Sequence, residues 1–129
     1  MIITIKDETF AGKILSELTL EFESEYVSLK DIITQRVMQE VENYNRKLPE
    51  YYNGLVEPTE SEKTLNGFKL KPKKQIDAEQ QVYTAVDAFQ KNGFFVLIDS
   101  IQSESLEQMV ALKSNTTISF IKLTPLVGG

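Results

Sequence analysis

The spacing of apolar residues divides the chain into segments of two different periods. Ile2 to Phe10 opens with β-branched residues and predicts a strand. Ala11-Gly12-Lys13 allows a turn. In the following KILSELTLEFES, Leu18, Leu20 and Phe22 alternate with Thr19, Glu21 and Glu23. A period of two sets one face of a strand against a core, so the two segments predict a hairpin. The period changes in VSLKDIITQRVMQEVENYN. There Leu29, Ile32, Ile33, Val37, Val41 and Tyr44 recur at the spacing of one helix face, and Ser28 with Asp31 approximates a capping box.

From Arg46 to Gln75 the regularity fades, punctuated by Pro49, Pro58, Pro72 and the dipeptides Asn53-Gly54 and Asn66-Gly67. Thr59 and Glu62 repeat the capping spacing and predict a short helix starting at Thr59. Tyr51, Leu55, Val56, Leu65 and Phe68 imply that this region packs on the rest. A second clear helix is predicted in DAEQQVYTAVDAFQKNG, with Asp77 as N-cap and Val82, Ala85, Val86 and Phe89 as its stripe. Asn92-Gly93 supplies its stop. FFVLIDSIQ is an apolar run ending in an Asp-Ser turn, SESLEQMVALKSNT is looser, and TISFIKL is the last strand. That strand carries Ile118 and Phe120 on one face and Ile121 and Leu123 on the other, as an interior strand does. Hairpin, helix, insertion with a second helix, one or two strands and a final strand together predict one α+β domain with a mixed sheet over 1–129.

Composition narrows the chemistry. At 129 residues and 41% hydrophobic content, with seven Phe and five Tyr, the chain is large enough to bury a core. It has no Cys and no His, which removes disulfides, thiolate nucleophiles, the usual zinc sites and imidazole acid–base catalysis. A net charge of −5 is a poor match for phosphate backbones, so no nucleic-acid partner is expected. The start MIITIKDETF lacks a basic leader with a long apolar run, and no run is long enough to span a bilayer. The expectation is a cytoplasmic protein with no membrane partner.

Two charged groups invite a functional reading. Asp99, Glu104 and Glu107 lie near one another but lack ordered ligand spacing, so no metal site is expected there. The run KLKPKK holds Lys69, Lys71, Lys73 and Lys74. Such a run on a loop is ordinarily solvated surface; its functional reading is a docking patch for an acidic face of a partner.

The most specific feature is the end, TTISFIKLTPLVGG, in which a strand is followed by Pro125, Leu126, Val127 and then Gly128-Gly129. With Gly near 7% of ordinary usage, a terminal Gly-Gly arises by chance in roughly 0.5% of chains. Together with the element order, this end resembles the β-grasp family. The likeness is to ubiquitin-like modifiers, including those of bacterial modification operons, and to prokaryotic sulfur carriers such as the thiamine-pathway carrier and the small subunit of molybdopterin synthase. The resemblance implies a β-grasp mixed sheet with the first and last strands parallel at its centre, packed under a long helix. Its core would be 1–45 and 94–123, with an insertion at 46–93 and a tail at 124–129.

The resemblance also implies a function. The carboxylate of Gly129 would be adenylated by a partner activating enzyme that uses ATP and magnesium. It would then become a thiocarboxylate for a downstream sulfur-accepting enzyme, or pass to an amine of a conjugation target. The chain itself would bind no cofactor and catalyse nothing. Gly128 and Gly129 would thread a narrow channel that side chains would block, and Pro125, Leu126 and Val127 would present them. The tail lacks the basic residues that precede Gly-Gly in ubiquitin, which leans towards sulfur carriers, whereas the insertion makes the chain longer than their minimal form. Sulfur transfer and conjugation both remain open. The alternative is a non-covalent interaction module that binds through its sheet or inserted region and does not use its C-terminus chemically.

Overall fold

The computed structural model of the chain describes residues 1–123. Strands β1 (Ile2–Glu8) and β2 (Ile14–Glu21) form the expected antiparallel hairpin, with Ile5 opposite Leu18. Gly12, at φ +86, makes the left-handed step that its turn requires. A short strand β3 (Tyr26–Ser28) leads directly into helix α1 (Leu29–Lys47). The start of α1 is fixed by a reciprocal cap. Ser28 Oγ accepts from the Asp31 N–H at 3.0 Å, and the Ser28 N–H donates to Asp31 Oδ2 at 3.0 Å. Leu29, Ile32, Ile33, Val37, Val41 and Tyr44 are all buried, so the predicted stripe is the packed face.

The segment after α1 departs from the sequence expectation. Thr59 starts no helix. Instead, β4 (Ser61–Thr64) and β5 (Gly67–Leu70) form a separate two-stranded hairpin, with Glu62 opposite Lys69. Two features decide against helix. Ser61 to Thr64 carry no apolar residue for a helical stripe, and the Asn66-Gly67 dipeptide turns the chain. Gly67 sits at φ +128, a region closed to side chains, where an added Cβ would also meet the Asn53 amide. Tyr52 bridges to Phe68 and so ties the hairpin to the preceding loop.

Helix α2 (Ala78–Gln90) follows, with the Asp77 carboxylate accepting from Gln80 N–H at 3.1 Å. Asn92 at φ +60 and the Gly93 N–H to Ala88 carbonyl bond of 2.7 Å end it, as its sequence predicts. Strand β6 (Phe94–Ile98) turns through Asp99 and Ser100, both left-handed, into β7 (Ile101–Gln102). The stretch read as loose contains β8 (Met109–Ala111), which pairs antiparallel with β3. The described chain closes on β9 (Ile118–Lys122).

The main sheet is mixed, in the order β2-β1-β9-β6-β7. β9 is interior, parallel to β1 from Ile5–Ile118 to Glu8–Ile121 and antiparallel to β6. Helix α1 covers one face, where Ile3, Ile5, Val96, Ile118 and Phe120 are almost fully buried, and α2 packs beside it. The described residues thus form an α+β structure with a five-stranded mixed sheet and two helices. Among the described residues, no helix is long and apolar enough to cross a membrane.

Because two backbone donors depend on the Ser28–Asp31 cap, Ser28→Ala is expected to lower stability by about 1 kcal/mol. Urea denaturation followed by circular dichroism checks this. An unchanged midpoint would show that β3–β8 pairing, not the cap, sets where α1 begins.

Candidate functional site

The site of interest is the C-terminal end of β9, where the described chain gives way to 124–129. Pro125, Leu126, Val127, Gly128 and Gly129, on which the sequence reading rests most heavily, lie outside the described residues. What the structure does place is the root of that tail and the elements around it.

The root rests on a buried set of charges. β1 turns Ile3, Ile5 and Asp7 towards α1, and β9 turns Ile118, Phe120 and Lys122 the same way. Arg36, 1% exposed, projects from the packed face of α1 and grips Asp7 with both terminal nitrogens, one of them 2.6 Å from Oδ2. Its Nε donates to Glu40 at 3.1 Å, one turn further along the helix. The guanidinium lies 4.5 Å from the centre of the Phe120 ring, so a single side chain joins α1, β1 and β9. Ser16 Oγ on β2 donates to Asp7 at 3.1 Å.

Lys122 completes the set. Its Nζ donates to the Gly54 carbonyl at 3.0 Å and thereby binds the end of β9 to the loop after α1. Gly54 is itself constrained, because a Cβ there would run into the Tyr52 ring. Tyr52 in turn packs edge-on against Tyr44 of α1, with centroids 5.4 Å apart.

Electrostatics within the set are uneven. Burial works against the Arg36 charge, but Glu40 and Asp7 outweigh it and hold the guanidinium firmly protonated. Glu40 moves above the ordinary carboxylate range, chiefly through burial and with help from Asp7, despite the attraction of Arg36. Lys122 moves down, again chiefly through burial. For Glu40, burial outweighs the attraction of both Arg36 and Lys122, so its neutral form is favoured relative to a carboxylate in water.

A groove of about 1010 Å³ lies beside this root. The 55–58 loop, the β4–β5 hairpin and one side of α2 form its walls, and Lys122 and Leu123 form its end. Leu55, Val56, Pro58 and Phe68 supply much of the apolar surface. A smaller cleft of about 570 Å³ between β2 and α1 has Asp7, Arg36 and Glu40 among its lining.

The lysine run reads differently in three dimensions. Lys69 lies 3.6 Å from Glu50, Lys71 pairs with Glu62, and Lys74 pairs with Glu60. These are exposed pairs of little individual weight, but they balance much of the charge that a docking patch would offer. Lys73 is exposed beside Pro72. Asp99 serves the fold, its Oδ1 accepting from the Thr117 N–H at 2.9 Å. Among the described residues, no group of three or more acidic side chains is placed to hold a metal ion.

Sequence reasoning passed over Asp7, Arg36, Glu40 and Lys122. A signal for the first two was present: Asp7 continues the inward alternation of Ile3 and Ile5, and Arg36 falls on the helical stripe beside Ile33 and Val37. Charges at two core-facing positions, of opposite sign, predict a buried pair. Comparison of the chain with models of protein families, with curated proteins and with solved structures finds no match.

Removing Asp7 leaves the Arg36 charge buried without its main partner. Asp7→Asn is therefore expected to cost roughly 3–5 kcal/mol in urea denaturation, and a loss near zero would mean that water replaces the carboxylate. Glu40 gives a pH prediction. Its folded pKa lies above its unfolded one, so the folded state holds the proton more tightly. Stability contributed by Glu40 is then present at low pH and is lost as pH rises upward from the ordinary value of 4.5. Glu40→Gln is expected to flatten that decline in denaturation curves recorded across the range, whereas parallel wild-type and variant profiles would remove Glu40 from the titration.

Proposed function

We propose that this chain is a β-grasp carrier or modifier whose Gly129 carboxylate is activated by a partner adenylating enzyme and then thiocarboxylated or conjugated to an amine. The observation that carries this reading is the position of β9. It is an interior strand, parallel to β1, covered on one face by α1, and it delivers the chain to 124–129 at the end of the sheet. An interior strand has partners on both sides, so the end of β9 is held in place. The parallel pairing of β1 with β9 inside the sheet, with α1 over one face, supports the β-grasp reading.

The chemistry asked of this chain is limited. Gly128 and Gly129 offer a terminus with no side chain to obstruct entry to a nucleotide site. Pro125 restricts the backbone just past the strand. ATP, magnesium and the activating groups belong to the partner, and this chain supplies an anchored acyl group. Sulfur carriage and protein conjugation share every one of these features and differ only in what attacks the adenylate.

A second reading is favoured by a different observation. Phe10, 70% exposed, stacks 5.8 Å from Phe95 on the sheet face away from α1, and Ile2 is 66% exposed on β1. Such a face suits a non-covalent interaction module.

The deciding experiment is the intact mass of the protein recovered from its native host without reductant. A gain equal to exchanging one oxygen for sulfur establishes the thiocarboxylate, and linkage of Gly129 to lysines of other proteins establishes a modifier. If the active protein carries an unmodified terminus, and deleting Gly128-Gly129 leaves its activity and partner binding intact, the interaction module is correct.

A further inference from the structure

The groove beside the end of β9 gathers exposed leucines from three separate parts of the chain. Three leucines are strongly exposed among the described residues: Leu15 at 48%, Leu65 at 84% and Leu123 at 45%. All three line this one groove. They come from β2, the β4–β5 turn and the residue after β9, segments far apart in sequence that the fold brings to a single place. Scattered exposed leucines are ordinary, but their convergence on a concave surface marks a binding site.

The charges at the groove point to the class of ligand. Lys63 and Lys122 line it, against the single carboxylate of Glu57, in a chain whose net charge is −5. Lys63 lies opposite Phe68 in the hairpin, and both residues line the groove. Among the described residues Lys63 makes no ion pair, unlike Lys69, Lys71 and Lys74 on the neighbouring strand and loop. The large apolar side chains of the lining are aliphatic except for Phe68, which suits a flexible hydrocarbon chain better than a flat ring system.

We propose that this groove binds a small amphipathic carboxylate, its aliphatic chain against Leu55, Val56, Leu65 and Leu123 and its carboxylate at Lys63 and Lys122. Apolar contact supplies affinity in proportion to the chain buried, and the lysines select the sign of the head group. The site is independent of whatever happens at Gly129.

Decanoate is the probe, titrated into ¹⁵N-labelled full-length protein. Saturable shifts are expected in the 55–58 loop, β4, β5 and α2. Octanoate should bind about tenfold more weakly, for the two methylenes lost. Decyltrimethylammonium, with the same tail and the opposite charge, should bind more weakly still. Lys63→Gln and Leu65→Ser, both at exposed positions that leave the core untouched, should each weaken decanoate severalfold without moving the thermal midpoint. Shifts absent at millimolar decanoate, or equal for the cationic probe, overturn the proposal. A chain ending at Leu123 supplies the last comparison. Equal affinity supports the proposal, while a large gain on truncation assigns the groove to the chain's own C-terminal residues and overturns it.

Discussion

The structure depends on the grip of Arg36 on Asp7. That ion pair crosses from α1 to β1 while the same guanidinium lies over Phe120 of β9, so the helix is fixed against the two central parallel strands at once. Burying two charges carries a desolvation cost that only close, bidentate geometry offsets. The arrangement therefore tolerates little displacement. Apolar packing of Ile3, Ile5, Ile33 and Val37 would permit small shifts of the helix along the sheet, whereas the charge pair permits one register. Specificity of position, more than net stability, is what such a pair contributes.

Around that pair the fold assembles the surroundings of the tail. Lys122 shares the polar set from the far end of β9 and binds the Gly54 carbonyl, which ties the last strand to the loop after α1. The same loop and the β4–β5 hairpin wall the groove that ends at Leu123. The long segment between α1 and β6 is thus more than a connection: its Gly54 carbonyl accepts a hydrogen bond from the Lys122 ammonium at the end of β9, and it shapes a concave surface beside that end.

Much of the regular structure was legible from the sequence. The first hairpin, the Ser28 cap, the stripe of α1, the Asp77 cap of α2 and the apolar alternation of β9 all follow from local spacing, and each forms as expected. The failures have a common cause. Thr59 and Glu62 have capping spacing without a stripe behind them, and the Asn66-Gly67 turn pulls the residues between them into a hairpin. β8 is only three residues long and exists because β3 lies beside it, so no local pattern announces it. Of the candidate site, the tail is visible only as sequence. Lys69, Lys71 and Lys74 are legible as a run of like charge, while their neutralisation by Glu50, Glu62 and Glu60 depends on how the hairpin folds back.

The sequence by itself determined the period of the main strands and helices, where α1 and α2 begin, the exclusion of thiol and imidazole chemistry, and the presence of Gly128-Gly129 after the last strand. These are properties of neighbours along the chain, set by backbone geometry and side-chain type. Tertiary structure alone decided that β9 lies parallel to β1, that Asp7 and Arg36 meet, that Glu40 is the carboxylate pushed towards the neutral form, and that three distant leucines line one groove. Each of these depends on distances between residues far apart in sequence, and local spacing carries no information about them. Leu15, Leu65 and Leu123 look in sequence like any other leucine. Only the packed chain leaves them exposed, and exposed together.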